Sequence, residues 1–141
     1  MDCDALIAEL GKNIGLEGLA FDSDGSCSVV FDDKDEIFFE KNSGKMLIIA
    51  PLGTAAGREN LFRSVLEANF LGGQAAFGSI GINADQDEFT LARVLEGDER
   101  YEEFEKSLLI FIQCLRKWKR IILDGKLPQE GAPVNPVGMY A

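Results

Sequence analysis

The chain reads as an α+β domain: an antiparallel, strongly twisted sheet with three helices, in the order α-β-β-β-α-β-β-α. Three observations predict this. Between Leu19 and Gly53, four short apolar runs are split by three turn signals. A helix-like block, Leu61 to Gly73, follows directly. From about Asp98 onward, apolar residues recur at alternating spacings of three and four. Apolar runs of four to eight residues between turn residues predict hairpin strands, and three/four spacing predicts an amphipathic helix.

The first helix is expected over residues 2–14. Leu6, Ile7, Leu10 and Ile14 share one face. Asp2 and Asp4 suit the positive end of the helix dipole, and Gly15 is a natural stop. Leu19 and Phe21 alternate and read as a short first strand ahead of three longer ones. Asp22-Ser23-Asp24-Gly25 then turns the chain, since glycine accepts positive φ and aspartate side chains bond nearby N–H groups. Ser26–Phe31 follows, with Cys27, Val29 and Phe31 on one face and Ser28 and Val30 on the other. Asp32–Asp35 is the next turn, 37–40 a strand, Asn42-Ser43-Gly44 a turn, and 45–50 a strand that Pro51 should end. Ile37-Phe38-Phe39 and Met46–Ile49 show no polar side. Both faces of the sheet should therefore be covered. The protein's own helices would cover one face; a second subunit, the chain itself or a bound peptide would cover the other.

Residues 54–60 read as a loop or helix start. The second helix, 61–70, carries a broad stripe of Leu61, Phe62, Val65, Leu66 and Phe70, with Gly72-Gly73 as its stop. Residues 75–82 and 88–95 form a hairpin around Asn83–Asp87, weakened at Gly78 and Gly81. The last helix starts near Asp98, its expected N-cap, with Glu99, Glu102 and Glu103 in the first turns. Tyr101, Phe104, Leu108, Phe111, Leu115, Trp118 and Ile122 form its stripe, and Leu109, Ile112 and Ile121 widen it. Arg116, Lys117, Lys119 and Arg120 crowd its C-terminal end, which Gly125 and Pro128 close. Residues 1–125 are expected to form one domain and 126–141 a flexible tail.

Composition narrows the function classes. The formal net charge is −10, from 24 acidic and 14 basic residues. Nucleic acid and anionic membranes demand basic surface, so neither is an expected partner. No apolar run approaches the length of a membrane span, and the acidic N-terminus lacks the basic region of a signal peptide. The chain has no histidine, which removes the commonest general base and metal ligand. Its three cysteines, Cys3, Cys27 and Cys114, are scattered, as reduced cytosolic thiols would be. The acidic clusters at 22–25, 32–36 and 83–87 lack the full calcium loop and read as solvated turns. No phosphate loop or nucleophile–base pair is present. Catalytic residues, metal and cofactors are therefore expected to be none. A small acidic hydrolase is the weakest of the readings.

Helix, strand cluster, helix, hairpin and long helix is an order with a specific resemblance. Leu19-Ala20-Phe21-Asp22 with Gly25 and Cys27, Phe31-Asp32-Asp33, Ala50-Pro51-Leu52-Gly53, Leu66-Glu67-Ala68-Asn69 and the Trp118 region follow one another in that order. Over residues 4–123 the chain resembles the class I type III secretion chaperones, the CesT-like Tir chaperones among them. Where that family often has Gly-Leu-Pro, this chain has Gly15-Leu16-Glu17-Gly18. The resemblance implies a homodimer in the cytoplasm of a Gram-negative bacterium. It implies binding of the N-terminal segment of a secreted effector in extended form, without ATP, and names the export ATPase as a further candidate partner. It implies a dimer interface at Leu61, Phe62, Val65, Leu66, Phe70 and Phe77. It implies effector-binding pockets near Leu6, Leu10, Phe21, Val30, Phe38 and Leu47. The alternative is a protein of the same fold acting as an interaction or regulatory module outside secretion.

Overall fold

Alternation and turn chemistry set the strands. The computed structural model describes residues 1–128. Its elements are α1 (Cys3–Ile14), β1 (Ser26–Phe31), β2 (Asp35–Asn42), β3 (Lys45–Thr54), α2 (Phe62–Asn69), β4 (Ser79–Asn83), β5 (Glu88–Leu95) and α3 (Tyr101–Asp124), with single 3-10 turns at Glu59–Leu61 and Phe70–Gly72. The five strands form one sheet in the order β1-β2-β3-β5-β4. Its pairs β1–β2, β2–β3 and β4–β5 are antiparallel. The α+β class and the order of elements are as the sequence predicts.

The described residues gather into two compact units, one of Met1–Ala50 with Arg93–Ile110, the other of Pro51–Ala92 with the described residues from Phe111 on. In the first unit, the Asp2 carboxylate accepts the Ala5 N–H at 2.8 Å and caps α1. Gly15, at φ 79°, ends α1 in the left-handed conformation that costs glycine nothing. Leu6, Ile7 and Leu10 are buried, as are Val29, Ile37, Phe39, Met46 and Ile48 from the strands and Phe104 and Leu108 from α3. The Phe39 and Phe104 rings pack 6.5 Å apart. In the second unit, Leu52, Leu61, Val65, Ile80, Phe89 and Leu91 are buried, with Phe111, Leu115, Trp118 and Ile122 from α3.

Five expectations are corrected. Leu19–Phe21 is not a strand; the sheet begins at Ser26. The preceding residues instead fold back locally, with the Leu16 N–H on the Gly11 carbonyl at 2.8 Å and the Leu19 N–H on that of Leu16 at 3.2 Å. Pro51 does not end β3, which runs on to Thr54. The register with β2 stops at Phe38↔Ile49, so the missing proline N–H breaks no bond of that ladder. Residues 75–78 are not strand; Ala76 and Phe77 both take positive φ, at 53° and 63°. Asp98 is not the N-cap of α3. The Arg100 carbonyl accepts the first helical bond, from Phe104 at 3.1 Å, while Glu99 folds back onto the Gly97 N–H at 2.8 Å. The second helix ends at Asn69, before Gly72-Gly73, because Phe70 leaves helical geometry at ψ 113°. The tail expected from Lys126 falls almost wholly outside the described residues.

Candidate functional site

β2 and β3 look apolar on both sides in sequence, yet the structure buries only one. Asp35, Ile37 and Phe39 of β2 are buried while Glu36, Phe38 and Glu40 are exposed. Met46, Ile48, Ala50 and Leu52 of β3 are buried while Leu47 and Ile49 are half-buried. The register sets Phe38 between Ser28 of β1 and Ile49 of β3, and Glu40 opposite Leu47. Val30, one position along, is exposed opposite Glu36. Val30, Phe38, Leu47 and Ile49 therefore make an apolar face rimmed by two carboxylates. Phe38 keeps 37% of its surface open. Large apolar side chains on an open sheet face lose hydration cost when another chain covers them, at about 25 cal/mol per Å².

The other three residues expected at this site lie elsewhere. Leu6 and Leu10 are buried on α1. Phe21 is half-buried in the loop before β1, with the Lys41 ammonium 5.3 Å from its ring centre. Lys41 also pairs with Asp4 at 2.8 Å, a hydrogen bond that holds its pKa above the ordinary value. Phe21, Lys41 and Asp4 thus tie α1 to the end of β2.

The second unit carries a separate apolar surface. Leu61, in the turn just before α2, and Val65 on α2 turn inward and are buried. Leu66 and Phe70 turn outward, 71% and 70% exposed. Phe62 is partly exposed and packs edge-on against Phe89 at 6.0 Å. Leu71 and Phe77 add 86% and 53% exposure from the connection to β4. That connection is strained: Leu71, Ala76 and Phe77 all take the left-handed conformation, at roughly 1–2 kcal/mol for each residue with a Cβ. Of the residues expected at a dimer interface, Phe62, Leu66, Phe70 and Phe77 are on the surface, and Leu61 and Val65 support it from beneath.

Sequence reasoning passed over Ile49, Leu71, Ile82 and Val94. Ile49 shares its strand face with Leu47 and could have been read from that parity. Leu71 was hidden in the helix stop, and the exposure of Val94 and Ile82 has no marker in the sequence. All six residues expected to bind an effector fall in the first unit, and all six expected at a dimer interface fall in the second. Among the described residues, no cluster of three His, Cys, Asp or Glu could hold a metal, and no helix is long and apolar enough to cross a membrane.

Residues 5–119 match the model of the Tir chaperone protein (CesT) family. The chain belongs to this family. It is a chaperone. No curated protein matches this Tir chaperone-family chain in sequence. Its fold is similar to that in the crystal structure of the ExsC–ExsE complex, at TM-score 0.73 and 22% identity, over 86% of this chain and 96% of that one. It is similar to the HopA1–SchA chaperone–effector complex, at TM-score 0.67 and 14% identity, over 82% and 91%. It is also similar to the Yersinia pestis type III secretion chaperone SycH in complex with a fragment of YscM2, at TM-score 0.65 and 17% identity, over 80% and 96%.

Proposed function

We propose that this Tir chaperone-family protein serves type III secretion as a homodimer, binding the N-terminal segment of an effector in extended form. The observation that carries this reading is the open apolar face of Val30, Phe38, Leu47 and Ile49 on the outer half of an antiparallel sheet. β1 is an outer strand, so an extended segment can add backbone hydrogen bonds along it. Alternate side chains of that segment then cover Phe38 and its neighbours. Ordering a disordered segment costs about 2–5 kcal/mol. At about 25 cal/mol per Å², a few hundred Å² of apolar burial offsets that.

Self-association is assigned to the second apolar surface, around Leu66, Phe70, Leu71 and Phe77. Leu6 and Leu10 serve the reading as core of the first unit, and Phe21 as the ring against Lys41. The net charge of −10 keeps an apolar-clad complex soluble. The reading includes no catalytic step. The chaperone holds its client in the bacterial cytoplasm and hands it over at the export ATPase.

Two experiments test this. Light scattering on the purified protein should give the mass of a dimer; a monomer contradicts the homodimer. A tagged pull-down from the native cytosol should retain one large partner in stoichiometric amount, and F38D should lose it. Retention by F38D contradicts the assigned face.

A further inference from the structure

We propose that Asn69 and Trp118 are positioning residues that hold the segment 70–78 in the one backbone shape that presents Phe70, Leu71 and Phe77 to a second copy of the chain. The inference rests on the reading of that surface as the self-association face.

The segment holds a backbone shape that residues with a Cβ disfavour. Leu71, Ala76 and Phe77 sit at φ 54°, 53° and 63°. Residues with a Cβ leave that region when free, because the Cβ crowds the following carbonyl. It has some internal bonds, such as Phe77 N–H to the Gly72 carbonyl at 3.1 Å. Attachments from outside also hold it. The Cys114 Sγ–H donates to the Gln74 carbonyl at 3.4 Å and the Lys117 ammonium to the Gln74 Oε1 at 3.2 Å. At its start and far side, the Asn69 amide uses both its ends on one residue: Oδ1 accepts the Ile80 N–H at 2.8 Å and Nδ2 donates to the Ile80 carbonyl at 2.8 Å. This copies the two-bond exchange of an antiparallel strand pair. Aspartate lacks the donor and leucine lacks both groups. In the middle, the Trp118 indole Nε1–H donates to the Gln74 carbonyl at 3.0 Å. The Gln74 N–H in turn donates to the Ala68 carbonyl at 3.0 Å.

Trp118 is 1% exposed and cannot act by touching a partner. Asn69 is half-buried, with both ends of its amide engaged by Ile80. The side chains the segment displays are instead open, and Leu71 is the most exposed of the large hydrophobic residues described. A strained backbone, pinned at both ends and the middle, with its apolar side chains outward, is a preorganised contact: little freedom is left to lose on association.

The test is the self-association constant of the full chain by sedimentation equilibrium, with N69A and W118F beside the natural protein. W118F keeps an aromatic ring and removes the N–H donor. Circular dichroism selects the temperature at which each variant is folded. Both variants should associate at least about ten-fold more weakly. In an L66D background, where association is already broken, N69A should still accelerate hydrogen exchange across residues 70–80 and leave β1 and β2 unchanged. Folded variants that associate within two-fold of the natural protein overturn the proposal. If N69A fails to fold, W118F decides. A natural protein that stays monomeric at about 100 μM overturns the self-association reading itself, and the inference with it.

Discussion

The Arg58 guanidinium donates from Nε to the Ile122 carbonyl at 2.7 Å. A terminal nitrogen of the same group reaches the Leu123 carbonyl at 3.2 Å. Both carbonyls belong to the last turn of α3, where the helical ladder runs out; that of Ile122 also accepts the Gly125 N–H at 3.2 Å. Asn60 donates to the Gly125 carbonyl at 2.9 Å just beyond them. A cation at the negative end of a helix adds a dipole term. Arg58→Ala should therefore cost about 1–2 kcal/mol in urea unfolding. Arg58→Lys keeps the charge but not the two-point geometry, and should fall between.

Phe38 and Phe39 are neighbours with opposite fates. Phe39 is fully buried against Phe104; Phe38 faces out beside Ile49. Phe39→Ala should cost about 3–5 kcal/mol of stability. Phe38→Ala should cost about 1 kcal/mol or less and yet weaken client binding. Equal losses of stability in the two variants would contradict the register.

Leu66 is mostly exposed on α2, so the monomer tolerates a charge there. In a dimer the same charge would be buried without a partner. Leu66→Asp should give a folded monomer by light scattering with an unchanged far-UV spectrum. An intact dimer would remove α2 from the interface.

Burial pushes the thiols of Cys27 and Cys114 up to about 11, with Asp22 adding to the effect at Cys27. Both stay protonated at neutral pH and should alkylate slowly with iodoacetamide until the solution is strongly alkaline. The unfolded chain releases these protons near the ordinary value of 9.0. Their contribution to stability is thus complete below about pH 9 and is lost as pH rises toward about 11. Urea midpoints should fall across that window, and a Cys27→Ser, Cys114→Ser double variant should fall less.

The helices and most strands were legible because their patterns are local. The spacing of Leu6, Ile7 and Leu10 places α1, the run Ser26–Phe31 is β1 to the residue, and the long stripe of α3 leaves no alternative. What was missed depends on partners distant in sequence. Pro51 looks like a strand stop until the register shows that β2 has already ended its pairing. Ala75–Gly78 reads as the start of a hairpin arm, but bonds at Asn69 and Gln74 hold it in another shape. At the site, neither β2 nor β3 shows a polar side in sequence, so only the register tells the open positions Phe38 and Leu47 from the buried Phe39 and Ile48. Leu6 and Leu10 were ambiguous because a helix stripe looks the same whether it lines a groove or fills a core.

An extended client segment covering the open face of the sheet leaves a footprint on both chains. That footprint is tested most directly by hydrogen exchange on the purified chaperone–client complex, with limited proteolysis of the client. Exchange should slow along β1 and β2, around Val30 and Phe38, and only a short N-terminal stretch of the client should be protected. Unchanged exchange in β1 and β2 with a stably bound client, or protection of a folded client domain, would contradict it.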